Sequence, residues 1–320
     1  MNATVNLPPI LLPAPLKKGD IVGLVHPAGP VQEEERYNAG IRLIREMGFE
    51  VKFQRQIHSS SPEYLAASDA ERAREFNELW ADPAVKALLA VRGGYGSLRM
   101  LDKVDMDLIR RFPKLFIGFS DVTVLLNVFR QETGLITYHG PSLTTLTRSD
   151  RMSVTLFFQA LTGRLESILP FDRLEVLAKG QAHGIILGGN LTTLVHLVGT
   201  PYEINLDGSI LVIEDVGEAP YRIDRMLTQL KLAGRLDGIR GLILGTFVSK
   251  FFGRDDNFDY EAVWSRALEL VEELEIPVWA DVPCGHGARN FTLPIGVEAE
   301  MDGEAGLLRL CSPICATTNP

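Results

Sequence analysis

The chain has 320 residues, of which 46% are hydrophobic and 23% charged, and this is enough for two globular domains with ordinary cores. Its formal net charge of −9 argues against a broad nucleic-acid surface or an anionic membrane partner, because both reward clustered Lys and Arg. Three cysteines, an odd number in a long chain, fit a reducing compartment better than a disulfide framework.

The N-terminal stretch is interrupted by Pro8, Pro9, Pro13 and Pro15 and lacks the basic start and cleavage site of a leader, so residues 1–17 are expected to form an extended arm. No later segment approaches the ~20 uninterrupted apolar residues of a membrane span. Together with the cysteines this predicts a cytoplasmic protein with no membrane partner. "IVGLV" at 21–25 reads as a strand that ends in the turn "HPAGP". A helix follows from about Gln32 to Met47, its apolar face carried by Ile41, Ile44 and Met47, and Gly48 stops it. "FEVKF" then alternates as a strand does. Ser68 and Glu71 stand at capping-box spacing before a helix over 68–80.

"AVKALLAV" is a buried strand that runs into the glycine cluster "RGGYGS". A helical stretch, "LRMLDKVDMDLIRRF", leads to the strand "KLFIGF", and a further helix runs from Ser120 to about Phe129. Alternating strands and helices imply a parallel sheet with helices packed on it. Residues 148–182 are less regular and read as a linker. Beyond it come the strands "HGIILGGN", "SILVIED" and "GLILGTF", helices over about 221–232 and 260–274, and the late strands "PVWADVP" and "GLLRL".

Several constellations bear on chemistry. A serine just before a helix is ordinarily an N-cap, whose hydroxyl satisfies an orphan amide. Ser120 also ends an apparent strand, and in such a turn the hydroxyl projects at the carboxyl edge of the sheet beside helix-start amides. The elbow pattern G-x-S-x-G is only half met, since Val122 stands where glycine is expected. A serine nucleophile needs a base, and the base needs an acid. Of six histidines, His26, His58, His139, His183 and His196 sit at strand ends, in a serine-rich loop or in an apolar run. His286, in "VPCGHGARN", differs because flanking glycines let the backbone present its ring. Glu214 and Asp215 follow directly on a strand, with Glu218 close behind; the ordinary reading of such carboxylates is solvation or pairing with a cation such as Arg222.

Gly93 and Gly94 in "VRGGYGS" allow backbone N–H groups to approach an oxyanion closely. As a dinucleotide fingerprint the same text fails, because Gly94-Tyr95-Gly96 is followed by Ser97, Leu98 and Arg99 where the third glycine is required. There is no H-E-x-x-H, and "GRDDNFDY" lacks the central glycine and the closing glutamate of a calcium loop. No metal or cofactor is expected. Cys284 near His286 is poorly spaced for a Cys/His dyad.

Taken together, "RGGYG" at 92–96, "GFSD" at 118–121, "HGP" at 139–141, "GGNL" at 188–191, "EDVGEAPYRIDRML" at 214–227 and "GHG" at 285–287 resemble the serine LD-carboxypeptidases, or muramoyltetrapeptide carboxypeptidases. The resemblance runs from about residue 18 to 310. It implies an α/β fold, with an N-terminal Rossmann-like or flavodoxin-like parallel-sheet domain over 18–147 and a mixed α/β C-terminal domain over 183–320, the site lying between them, and a homodimer. It further implies a triad of Ser120, Glu214 and His286, and an oxyanion hole from the backbone N–H of Asp121 and of Gly94 or its neighbour Gly93. Substrate contacts are expected from Arg92, Tyr95, Asn190 and Arg222. The implied reaction is metal-independent hydrolysis of the bond between a diamino acid and terminal D-alanine in a murein tetrapeptide, for peptidoglycan recycling. A related branch, the microcin-C-immunity type, shares the triad and cleaves peptidyl-nucleotide amides. The alternative from another class is a non-catalytic α/β module that binds a small anionic ligand at its glycine turns, with Ser120 as a helix cap.

Overall fold

A computed structural model describes residues 8–53, 64–171, 174–249 and 258–316. His58, the start of the arm and most of the "GRDDNFDY" segment lie outside the described residues. In chain order the elements are β1 (Ile21–Val25), α1 (Glu34–Glu46), β2 (Glu50–Lys52), α2 (Asp69–Ala81), β3 (Val85–Ala90), α3 (Ser97–Met100), α4 (Met106–Arg111), β4 (Leu115–Gly118), α5 (Thr123–Thr133), β5 (Thr137–His139), α6 (Leu143–Leu146) and α7 (Arg151–Leu161). There follow β6 (Ile168–Leu169), β7 (Glu175–Ala178), β8 (Gln181–Asn190), α8 (Leu191–Val195), β9 (Ser209–Val216), α9 (Pro220–Leu232), β10 (Gly241–Val248), α10 (Tyr260–Val271), β11 (Val278–Ala280), β12 (Leu293–Ile295), β13 (Glu298–Asp302) and β14 (Leu307–Leu310). They form two compact units. The first takes in the chain up to Leu165 with Thr292–Pro294 and the segment from Ile314; the second comprises Glu166–Phe291 and Ile295–Pro313.

The first unit is built on a sheet of order β12-β5-β4-β3-β1-β2. Its β1 to β5 pair in parallel, and the order 2-1-3-4-5 is the flavodoxin-like one, with the switch point between β1 and β3. Ligands of open α/β sheets bind outside the carboxyl ends of strands at such a point. The loops "HPAGP" and "RGGYG" leave the sheet there. Beneath them Phe76 and Trp80 of α2, Phe116 of β4 and Phe129 of α5 form one aromatic cluster, with centroids 5.3 Å apart for Phe76–Trp80, 5.4 Å for Phe76–Phe116 and 5.5 Å for Phe116–Phe129. Aromatic pairs of this kind contribute about 0.5–1.5 kcal/mol each beyond their buried area. The cluster fixes β4 against α5, and hence the turn that joins them.

Helix α2 starts as its sequence predicts. The Ser68 hydroxyl accepts from the Glu71 N–H and the Glu71 carboxylate accepts from the Ser68 N–H, completing the capping box. The stretch expected as one helix over 98–112 is instead divided into α3, a 3-10 turn at Leu101–Lys103 and α4. Asp105 causes the restart: its carboxylate accepts from the Leu108 N–H at 2.9 Å and caps α4. The arm is extended where it is described, and Leu11 bridges Leu135, donating to the Gly134 carbonyl at 2.8 Å and accepting from Ile136 at 3.0 Å.

The second unit has a mixed sheet of order β6-β14-β13-β8-β9-β10-β11-β7. Its central β8 to β11 are parallel, and antiparallel strands flank them on both sides. The 148–182 stretch, expected as a linker, holds α7, capped by Asp150 and part of the first unit, and the short strands β6 and β7 of the second. Its turn signals are real, but they separate elements too short or too weakly patterned to read from periodicity.

Candidate active site

In the first unit the site begins with the β4–α5 turn. Phe119 is extended, and Ser120 then takes φ of +63°, the left-handed region that a serine seldom occupies. An N-cap residue has extended dihedrals and a side chain bonded to an amide of the first turn. Ser120 departs from the first of these with its left-handed φ, and it is Phe119 and Val122 that precede the 3-10 turn Ser120–Val122 and α5, neither of them capping through its side chain. The half-met elbow pattern also gains an explanation. A Cβ on Gly118 would lie 2.7 Å from Val122 Cγ1 and 3.0 Å from Ala90 Cβ, so Val122 fills the space that a second glycine would leave.

Gly93 lies directly against the serine, since a Cβ there would stand 2.7 Å from Ser120 Cβ and 2.9 Å from its Oγ. Gly94, at φ +124°, would meet the Gly29 nitrogen at 3.1 Å. The two loops at the switch point are thus in backbone contact, and the Gly29 N–H donates to the Gly93 carbonyl at 3.2 Å. The Asp121 carboxylate is turned away to structural use, with Oδ2 accepting from the Ser97 N–H at 2.8 Å. Burial pushes its carboxyl up, against the pull of donors at Ser97 and Gly96 and the charge of Arg72. Its backbone N–H follows directly on Ser120.

The second unit contains a buried acid and imidazole. Glu214 ends the pairing of β9 with β8, opposite Asn190. Beside it β10 is irregular: its register to β9 shifts between Leu244 and Phe247, a bulge at Gly245–Thr246. Gly245 faces the Glu214 Cβ, which a Cβ on Gly245 would approach to 3.2 Å. Thr246 instead pairs with the 284–286 loop, bridging Gly285 and donating to the Cys284 carbonyl at 2.8 Å. Gly285 has φ of +117°, and a Cβ on it would fall 2.5 Å from Glu214 Oε2, so only glycine serves. Asn290 Oδ1 accepts from the Gly285 N–H at 3.0 Å and the Pro283 carbonyl from the Phe291 N–H at 2.8 Å, closing the loop on itself.

These constraints bring His286 Nδ1 to 2.5 Å from Glu214 Oε2, with both side chains fully buried. A carboxylate accepts only, so Nδ1 carries the proton and Nε2 is the basic nitrogen of the neutral ring. Glu214 Oε1 is buried with no hydrogen-bond partner among the described residues, which leaves His286 as the group that answers this carboxylate's charge. Burial, with the Glu214 charge behind it, pushes the Cys284 thiol well up, so it stays protonated and is no nucleophile.

The remaining sequence candidates are placed differently. Asp215 is buried, and its carboxylate accepts from the Thr192 N–H and hydroxyl, each at 2.8 Å, and from its neighbour Val216 at 2.7 Å. Asn190 caps α8 through Oδ1, which accepts from Thr193 at 3.1 Å, while Nδ2 donates to Asp215 at 3.3 Å. Its amide is therefore committed to the fold. Arg222 is exposed, 3.5 Å from Glu218 Oε2 and donating to the Tyr221 hydroxyl at 3.1 Å. Arg92 donates to the Pro30 carbonyl at 2.8 Å, and Tyr95 is half exposed with its ring 5.9 Å from that of Tyr64. Gly245 and Asn290 are absent from the sequence reading; a lone glycine inside the strand pattern "GLILGTF" is the available signal for a bulge. Among the described residues no group of three or more His, Cys, Asp and Glu side chains clusters as metal ligands would, and no helix is long and apolar enough to cross a membrane.

Comparison with known proteins follows this division. Residues 22–140 match the LD-carboxypeptidase N-terminal domain and residues 183–301 its C-terminal domain. A putative carboxypeptidase of Synechocystis sp. is 40% identical over 93% of this chain and 96% of its own. A probable murein peptide carboxypeptidase of Bacillus subtilis is 35% identical over 91% of each. Among solved structures, the microcin C7 self-immunity protein MccF superposes with a TM-score of 0.85 at 26% identity, covering 96% of this chain and all 100% of that one. The muramoyltetrapeptide carboxypeptidase of Oxalobacter formigenes does so with a TM-score of 0.76 at 32% identity, covering 91% and 97%. Matched over both halves and along nearly its whole length, the chain belongs to the LD-carboxypeptidase family, a family of peptidases.

Proposed function

We propose that the protein is a serine LD-carboxypeptidase that removes terminal D-alanine from murein tetrapeptides, acting without metal or cofactor in cytoplasmic peptidoglycan recycling, as a homodimer. The observation that carries this reading is the buried Glu214–His286 pair at 2.5 Å, held by glycines that leave no room for any other residue. In this reading His286 Nε2 takes the Ser120 proton as Oγ attacks the carbonyl carbon of the diamino acid. The N–H groups of Asp121 and of Gly94 or Gly93 receive the developing oxyanion. The imidazolium, steadied by Glu214, then gives its proton to the nitrogen of departing D-alanine as the C–N bond breaks. A water molecule, deprotonated by His286 Nε2, then attacks the acyl ester; the tripeptide leaves as a carboxylic acid and Ser120 regains its proton from the imidazolium. Tyr95 and Arg92, beside Gly93 on the same loop, are the substrate contacts this reading favours.

The B. subtilis relative's name, a murein peptide carboxypeptidase, supports the substrate class. The likeness to MccF keeps a second reading, cleavage of peptidyl-nucleotide amides. Mass spectrometry of a murein tetrapeptide incubated with wild type and Ser120→Ala separates them. Release of D-alanine by wild type alone, unaffected by EDTA, is the expected result. Cleavage of a peptidyl-nucleotide amide with no D-alanine release would transfer the protein to the immunity type, and activity in Ser120→Ala would sink the serine mechanism.

A further inference from the structure

Arg72 of α2 is a charged side chain in the interior of the first unit, only 1% exposed, outside all the motifs that carry the family resemblance. Within the sequence "SDAERAREFNELW" it shares the apolar face, four residues before Phe76 and seven before Leu79. Burying a guanidinium costs several kcal/mol, and a hydrophobic residue of similar volume is often as stabilising or more so. Core packing therefore does not account for an arginine here. Its hydrogen bonds do point to a role.

Nε donates to the Ala67 carbonyl at 3.2 Å and Nη2 to Asp69 Oδ1 at 2.5 Å. Nη1 donates to the Gly96 carbonyl at 2.8 Å and also to the Pro27 carbonyl. One planar fork thus joins the loop after β1, the entry to α2 and the loop after β3. Gly96 is moulded around it: φ is +122°, and a Cβ would stand 3.0 and 3.1 Å from the two terminal nitrogens and 2.6 Å from Leu65 Cδ2. The Gly96 carbonyl belongs to the same peptide plane as the Ser97 N–H, and that N–H is held by Asp121 Oδ2 at 2.8 Å. The plane is pinned at its oxygen by Arg72 and at its nitrogen by the residue that follows Ser120. At the other end of the loop, Gly93 is bonded to Gly29 and abuts Ser120.

We propose that Arg72 is a positioning residue for catalysis, which orients the Gly93–Gly96 backbone so that its amides face the oxyanion formed at Ser120. This rests on the serine mechanism proposed above. A lysine keeps the charge but, as a single compact donor group, does not span the divergent carbonyls of Pro27, Ala67 and Gly96. Displacing an oxyanion donor by an ångström costs about 100-fold in rate.

The test uses the full-length protein, the murein tetrapeptide as substrate and a fluorophosphonate to titrate Ser120, so that kcat is expressed per active site. Arg72→Met is expected to lower kcat about 100-fold with KM changed less than about threefold. Arg72→Lys is expected to melt near wild type and to lose about tenfold in kcat. Arg72→Ala should regain activity saturably with millimolar methylguanidinium and not with urea. A purely structural role would reduce the titratable fraction and the melting temperature while leaving kcat per site unchanged. That outcome in Arg72→Lys overturns the proposal, as does a folded Arg72→Ala that methylguanidinium does not rescue. Absence of D-alanine release by wild type, or full activity in Ser120→Ala, would instead overturn the mechanism on which the proposal stands.

Discussion

Ser120 holds a conformation that costs an L-residue about 1–2 kcal/mol and costs glycine almost nothing. Its φ of +63° is maintained by the Phe116–Phe129 packing on either side of the turn and by Asp121, whose carboxylate is anchored on Ser97. Strain of this kind is expected where a hydroxyl must be lifted out of a helix start. Ser120→Gly and Ser120→Ala should both be inactive, but the glycine variant should be more stable by about 1 kcal/mol in urea denaturation. Equal stability would show that the turn stores no strain. Gly93→Ala should lower kcat by about 100-fold or more, because its methyl group falls 2.7 Å from the Ser120 Cβ. Gly285→Ala should do the same through Glu214, whose Oε2 the new methyl group would meet at 2.5 Å. Ser120, Glu214 and His286 are singled out in the sequence through the order of six short motifs that together carry the family resemblance. Gly245 and Arg72 are not, since what matters there is an atom from a distant loop: a carbonyl at Cys284 and a carbonyl at Pro27.

At the scale of elements, the alternating strands and helices of the first unit are plain in the sequence, and so is the flavodoxin-like class that the family resemblance implies. The second sheet is less so. Strands β6, β12 and β14 have two to four residues, too few for a period of two to register, and β13 reads "EAEMD", whose exposed acids mask a buried Ala299 and Met301. The end of β9 carries two adjacent acids with separate tasks. Glu214 pairs with His286, while Asp215 ties β9 to the start of α8 through Thr192. Burial, then the neighbouring Glu214 charge, pushes the Asp215 carboxyl up from 3.8 to about 6. A raised carboxyl means that the folded state binds its proton more tightly than the unfolded chain does. The stabilisation from that proton is complete below pH 3.8 and lost as pH rises through about 6. A shift of this size corresponds to about 3 kcal/mol. Urea denaturation of wild type and Asp215→Asn from pH 4 to 7 should therefore give curves that diverge with pH, the variant gaining relative stability toward pH 7. Parallel curves would mean that Asp215 binds its proton equally well in the folded and unfolded states.

On the scale of the whole molecule, the first unit is not a continuous stretch of chain. Its sheet takes β12 as the strand beside β5, and the chain returns to it again from Ile314. These late residues fill specific places. A Cβ on Gly140 would meet Thr292 Oγ1 at 2.7 Å, so the two backbones lie in close contact. The buried Tyr138 hydroxyl donates to the Ile314 carbonyl at 2.6 Å, and the Ala316 N–H donates to Pro13 in the arm at 2.9 Å. Burial also pushes the Tyr138 hydroxyl well above its ordinary pKa, which keeps it a donor at neutral pH. A fragment ending at Leu165 would contain Ser120, the loops after β1 and β3 and every helix of the first unit, yet would lack all three of these late contacts. An unmade hydrogen bond at Tyr138 alone costs about 1–3 kcal/mol, and the unpaired edge of β5 adds to it, against a total stability of about 5–15 kcal/mol for a domain. Residues 1–165 expressed alone should therefore show helical circular dichroism without a sharp thermal transition, while the full chain melts cooperatively. A fragment that melted as sharply as the full chain would show that the late residues are accessory to the first unit, and that the placement of β12 in its sheet has no bearing on how the serine turn is held.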